Sequence, residues 1–245
     1  MISPEEIKQL STKYQTSLLT IAREYAQHCF LSEFYKIKNS DRLLFKGGTA
    51  LRLIYQSPRY SEDLDFTGVN NITYLAIEDL LIETLRNLTA WGFEIELNEA
   101  KETTGGYLAK MDFSFSGFKF QMKIEISFRK RRTKSRGAVS RIKNEYIPHY
   151  DIYHLPLEEI VAGKISALLM RAKPRDWYDF YFFLHGRMLE KEHKKSLPEI
   201  LEKLKKSKTD FKKELKVFLP RSHQMILKDF KQNLINELER QLGKE

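Results

Sequence analysis

The sequence predicts an α+β fold, with a mixed sheet flanked by helices over residues 1–155 and an all-helical half over residues 156–245. Three observations carry that expectation. Strand-like stretches recur between Leu43 and Phe128, several of them alternating polar and apolar residues as half-buried strands do. From Leu157 onward the apolar residues fall at helical spacing. The change of pattern lies at Pro156, and strands followed by helices are the economical signature of α+β architecture.

Ser3-Pro4-Glu5-Glu6 opens the first helix: a capping hydroxyl, proline in the first turn, and two acids at the positive end of the dipole. Ile7, Leu10, Tyr14, Leu18, Ile21, Ala22 and Tyr25 follow at helical spacing, so helix is expected, with a break, to about Tyr35. Leu43-Leu44-Phe45-Lys46 reads as a buried strand running into a tight turn at Gly47-Gly48, with helical spacing resuming from Thr49 to Tyr55. Asp63-Leu64-Asp65-Phe66 alternates and is expected to be a strand with both carboxylates on one face. Ile72 to Trp91 has the pattern of an amphipathic helix. Phe93 to Leu97, Tyr107 to Phe115 and Phe118 to Phe128 read as strands, the last two joined by a hairpin turn at Ser116-Gly117. No internal repeat is present.

The formal net charge is +9, which favours polyanionic partners such as nucleic acid or nucleotides, although a lysine-rich surface also serves solubility. Cys29 is the sole cysteine, so neither an internal disulfide nor a cysteine-based zinc site can form. The N-terminus lacks the basic-then-apolar layout of a signal peptide, and the apolar runs are too short to span a bilayer. The expectation is a cytoplasmic protein without a membrane partner.

Two carboxylates as close as Asp63 and Asp65 repel each other unless a cation lies between them, and a hard divalent ion suits oxygen ligands. An isolated Asp-x-Asp is more often a pair of exposed acids, so context must decide. Gly47-Gly48-Thr49 at a strand-to-helix turn would let a phosphate approach backbone N–H groups. Lys123, Glu125 and Ser127 share one face of an otherwise apolar strand, where charge is costly unless it is paired or binds something. Arg129, Lys130, Arg131, Arg132, Lys134, Arg136, Arg141 and Lys143 follow without a single intervening acid, a run able to track an RNA backbone or to form a solvated loop. Tyr146 and Tyr150 could stack bases but suit core packing better, and His149 and His154 have no metal-ligand spacing.

The order strand, Gly-Gly-Thr turn, helix, Asp-x-Asp strand and later acidic strand resembles the polymerase-β-like nucleotidyltransferase superfamily. The block from Phe45 to Arg52, followed by that from Arg59 to Phe66, is similar to the AbiEii/AbiGii toxin group of bacterial abortive-infection and toxin–antitoxin proteins, related to the MenT toxins. The likeness continues from Glu158 to Lys164 and from Arg171 to Asp179, so it covers roughly residues 46–184. The resemblance implies a nucleotidyltransferase-type sheet domain (1–155) and a helical domain (156–245) completing the active-site cleft. It implies Asp63, Asp65, Lys123, Glu125, Lys164 and Asp179 as catalytic residues, with Mg²⁺ or Mn²⁺ on Asp63, Asp65 and Glu125. Lys46, Gly47, Gly48, Thr49, Arg171 and Arg175 would bind the NTP, and the run from Arg129 to Arg136 would bind RNA, tRNA above all. Asp176 could instead be an internal partner of Arg171 or Arg175. A cognate antitoxin would be the protein partner. Transfer to a protein hydroxyl and non-catalytic nucleotide or RNA binding are the alternatives.

Overall fold

Among the described residues, which are 1–128 and 137–243 of a computed structural model, seven strands form one mixed sheet. They are β1 (Leu43–Lys46), β2 (Leu64–Gly68), β3 (Glu94–Thr103), β4 (Gly106–Phe115), β5 (Phe118–Ser127), β6 (Ala138–Ile142) and β7 (Tyr150–His154), in the order β3-β4-β5-β2-β1-β7-β6. β2 pairs antiparallel with β1 and parallel with β5, while β3, β4 and β5 form an antiparallel meander. β7 runs parallel to β1 and antiparallel to β6.

The sheet and the first four helices make one compact unit, Met1–Gln56 with Tyr60–Leu155. α1 (Pro4–Lys13) starts with the expected capping box, in which Ser3 and Glu6 satisfy each other's backbone N–H groups. The chain then breaks at Gln15, whose φ is 52°, and α2 (Leu18–Phe34) begins under the Ser17 cap. α2 is buried almost all round from Ile21 to Phe34, as a helix with a mostly apolar circumference must be. α3 (Gly47–Leu53) and α4 (Tyr74–Ala90) complete the helices of this unit.

Alternation on β5 decides which face is which. Phe120, Met122, Ile124 and Ile126 are buried in the core, while Lys119, Gln121, Lys123, Glu125 and Ser127 project from the other face. Phe66 of β2 lies in the core 5.4 Å from the rings of both Phe34 and Phe45. The same pleat therefore puts Asp65 on the polar face.

Several elements of this unit differ from the sequence reading, among them β3, which runs on to Thr103 instead of ending at Leu97. α3 includes the two glycines instead of starting at Thr49, and Asp63 sits one residue before β2. β6 and β7 were not expected. β6 is a five-residue strand within what reads as the basic run, and its Arg141 pairs with Asp151 of β7 at 3.4 Å. β7 alternates Tyr150, Ile152 and His154 inward, but Pro148, Pro156 and polar neighbours mask so short a signal. His154 is structural: its Nδ1 meets the Leu155 carbonyl at 2.7 Å and its Nε2 meets Ser140 Oγ at 2.9 Å.

The second unit comprises Ser57–Arg59 and Pro156–Glu245. Its helices are α5 (Leu157–Arg171), α6 (Pro174–His185), α7 (Lys191–Lys194), α8 (Leu197–Lys206), α9 (Phe211–Leu215) and α10 (Phe230–Gln241). Ala172, with a left-handed φ of 49°, ends α5, and Pro174 starts α6. The two helices therefore form a tight hairpin, stopped by the left-handed residue and restarted by the proline. Trp177, Phe211 and Phe230 centre the packing, with ring centroids of the latter two 5.1 Å apart. Among the described residues no helix is long and apolar enough to cross a membrane.

Candidate active site

Strand register builds a polar row across the first unit. Lys46 on β1 is the register partner of Asp65 on β2, and Asp65 is the register partner of Glu125 on β5. Paired residues share a face of the sheet, so an ammonium and two carboxylates are set side by side by backbone geometry alone. Lys46 is further tied across the sheet by its Nζ, which donates to Ser127 Oγ at 2.6 Å.

Gly47 closes the row from above. Its φ is +85°, a left-handed conformation that L side chains rarely adopt. A Cβ there would lie 2.7 Å from Asp65 Cγ and 2.8 Å from Asp65 Cβ. The Asp65 side chain therefore packs against a backbone that must be glycine. Gly47→Ala is expected to cost about 1–2 kcal/mol of stability from φ alone and to displace Asp65, lowering turnover by about a hundredfold. A thermal melt and a turnover assay on the same preparation check both parts; a fully active G47A protein would refute the close packing as functional.

The Thr49 side chain is fully buried, and its hydroxyl donates to the Asp63 backbone carbonyl at 2.5 Å. The Thr49 hydroxyl is thus committed to holding the chain at Asp63. Gly48 is also buried, leaving backbone groups of the turn as what this segment offers a phosphate.

Lys123 lies between the acids, its Nζ 2.5 Å from Glu125 Oε1 and 3.7 Å from Asp63 Oδ2. Burial pulls the Lys123 pKa down, but the bond to Glu125 and the charges of Asp63, Glu125 and Asp65 more than offset this, leaving it above its ordinary value. The lysine is firmly cationic. Glu125, implied as a third metal ligand, has its carboxylate on this ammonium. Among the described residues no group of three His, Cys, Asp or Glu side chains is disposed to hold a metal ion. The strand period sets Lys123 and Glu125 two residues apart on the same face, which brings their charges together. Asp63 and Asp65 remain as a pair of oxygen donors. Such a pair fits Mg²⁺, which is commonly held by one or two carboxylates together with substrate phosphates and water.

The second unit contains a buried charge cluster. Arg59 grips Asp179 in bidentate fashion, Nε to Oδ1 at 2.8 Å and Nη2 to Oδ2 at 3.0 Å. Such a fork-on-carboxylate pair is among the stronger hydrogen-bonded contacts a protein makes. Lys164 Nζ adds a third contact, 2.6 Å from Oδ2. Asp179 is 0% exposed, and its carboxylate is committed to Arg59 and Lys164. Burial raises the Asp179 pKa, but the Arg59 and Lys164 charges and their hydrogen bonds lower it further, to below the ordinary carboxylate value. Two turns along α5, Arg171 forms a second bidentate pair with buried Asp176, at 2.8 and 2.9 Å. That is the internal partnership considered for Asp176. Arg175 stacks its guanidinium 5.2 Å from the centre of the Phe218 ring, a cation–π contact. Arg129, Lys130, Arg131, Arg132, Lys134 and Arg136, expected to bind RNA, lie outside the described residues.

Sequence reasoning assigned no role to Arg59, Glu24 or Gln27. Glu24 is buried on α2 and pairs with Arg52 of α3 at 2.8 Å, while Tyr146 donates to it at 3.1 Å. A usable signal existed: charged and amide groups inside an apolar helix must find partners, because unpaired burial is costly.

The family model described as "Nucleotidyl transferase AbiEii toxin, Type IV TA system" matches residues 29–243. Among solved structures, JHP933 from Helicobacter pylori is similar with a TM-score of 0.61 at 21% identity, covering 93% of this chain and 97% of that one. MenT4, a nucleotidyltransferase toxin from Mycobacterium tuberculosis H37Rv, is similar with a TM-score of 0.69 at 14% identity, covering 97% of this chain and 90% of that one. At such identities these likenesses speak to the fold. No curated protein matches the chain by sequence.

Proposed function

The chain belongs to the AbiEii nucleotidyltransferase toxin family, and from that premise we propose that it transfers a nucleotide from an NTP to an RNA acceptor, with tRNA the leading candidate. Membership makes it a nucleotidyltransferase of the toxin class, and the type IV toxin–antitoxin family carries with it an NTP substrate and an antitoxin counterpart. The observation that carries the site assignment is the row Lys46–Asp65–Glu125 with Gly47 packed against Asp65. RNA as acceptor is supported by the net charge of +9 and the acid-free basic run that follows β5.

Asp63 and Asp65 would hold Mg²⁺. When bound, Mg²⁺ supplies charge neutralisation on the phosphates and acidifies an attacking hydroxyl. The chain's own residues mainly position and neutralise. Backbone N–H groups of Gly47 and Gly48 approach the triphosphate, and Lys46 and Lys123 stand beside the carboxylates as cations for phosphate oxygens. Glu125 orients Lys123. In the second unit Lys164 is held by Asp179. The RNA hydroxyl forms the new bond at the α-phosphorus as the bond to pyrophosphate breaks.

Incubating the protein with Mg²⁺, total tRNA and each α-phosphate-labelled NTP tests the proposal. Label on tRNA that disappears in Asp65→Asn is the expected outcome, and the labelled nucleotide names the base. Label on protein alone would replace RNA by a protein hydroxyl as acceptor. No transfer from any NTP would defeat the assignment.

A further inference from the structure

Three consecutive backbone carbonyls lead into the carboxylate pair, and two buried polar side chains hold all of them. Gln27 of α2 is 1% exposed, and its Nε2 donates to Ser61 O at 3.0 Å and to Glu62 O at 3.1 Å. Thr49 of α3 donates to the next carbonyl, Asp63 O, at 2.5 Å. A side-chain amide suits the first task because one NH₂ group carries two donors and can serve two successive acceptors. Arg23, one turn before Gln27 on α2, adds an ion pair to Glu62 at 2.8 Å.

The helices that carry these donors are themselves locked together. Glu24 of α2 pairs with Arg52 of α3, and the Arg52 guanidinium lies 4.0 Å from the centre of the Tyr60 ring at the start of the same loop. One helix thus sets the register of both the glycine turn and the loop that ends at Asp63. The loop needs such restraint: Glu62, Asp63 and Asp65 place three acids within four residues, and their mutual repulsion favours splaying apart. Neutral amide and hydroxyl donors restrain the backbone without consuming the carboxylates' negative charge, which a cation ligand would require.

We propose that Gln27 and Thr49 are positioning residues that set the metal affinity of the Asp63/Asp65 pair by clamping the carbonyls of residues 61–63. This rests on the reading of Asp63 and Asp65 as the metal carboxylates. Residues that hold a ligand in place typically contribute about ten- to a hundredfold in metal affinity.

The test titrates Mn²⁺ alone against the protein, following the EPR signal of the free ion, with melting temperature measured in parallel. Gln27→Met keeps the side-chain length and removes both donors; Thr49→Val keeps the shape and removes the hydroxyl. Each is expected to weaken Mn²⁺ binding by about ten- to a hundredfold. Ile21→Val, a core trimming on the same helix, should lower the melting temperature and leave Mn²⁺ affinity as in wild type. If Gln27→Met does not fold, Thr49→Val carries the test. Variants that melt earlier but bind Mn²⁺ as tightly as wild type would show mere packing and overturn the proposal. A wild type that binds no more Mn²⁺ than Asp65→Asn would instead overturn the metal-site reading, and the inference with it.

Discussion

Asp65→Asn is expected to reduce nucleotidyl transfer by about a hundred- to a thousandfold, equivalent to roughly 3–4 kcal/mol of transition-state stabilisation. Asparagine keeps the shape that packs against Gly47, so the loss would be of charge and not of fold. The carboxylate stands between Lys46 and Glu125 in the sheet register, with Asp63 two residues before it. Removing one negative charge relieves repulsion among these acids but also weakens the attraction to Lys123, so stability should change little. Turnover measured together with a denaturation curve separates the two effects. A variant that is inactive only because it is unfolded would count against this account, and so would one retaining a tenth or more of the activity.

Asp179→Asn is expected to destabilise the protein by about 3–5 kcal/mol, because it removes the charged carboxylate that pairs with buried Arg59 and with part-buried Lys164. Arg59 and Lys164 share this carboxylate, and Arg59 is almost wholly buried. Lys206 and Glu202 make a contrasting pair, 3.5 Å apart and well exposed. A surface pair of that kind should be worth under about 1 kcal/mol. The pH dependence follows from the direction of the shift. The folded-state pKa of Asp179 lies below its ordinary value of 3.8. Its stabilisation is therefore complete above that ordinary value and is lost as pH falls through the folded pKa. Urea denaturation at neutral and acid pH checks both statements. The wild type should lose its advantage over Asp179→Asn in acid, and a difference under about 1 kcal/mol at neutral pH would refute the burial argument.

The helical hairpin between Arg171 and Asp176 shows how far local chemistry reaches. Arg171 and Asp176 are close in sequence across a tight turn, so their pairing was among the options that spacing alone allowed. Arg59 and Asp179 lie 120 positions apart, and nothing in a linear pattern couples them. The buried polar residues of α2 present the same contrast. Their periodicity marks a buried helix, yet their partners come from a loop and a second helix further along the chain.

Sequence by itself determined the α+β class, most of the helices, the β4–β5 hairpin and the Asp63/Asp65 pair, because each depends on side-chain periodicity or on turn chemistry within a few residues. Tertiary structure alone decided that Glu125 meets Lys123, and that the Thr49 hydroxyl holds the Asp63 carbonyl. It alone decided that Asp179 is a buried clamp, and that two further strands extend the sheet beyond β1. Those outcomes depend on which distant groups burial brings within hydrogen-bond reach, and the cost of leaving a buried polar group unpaired selects among them only once the chain has folded.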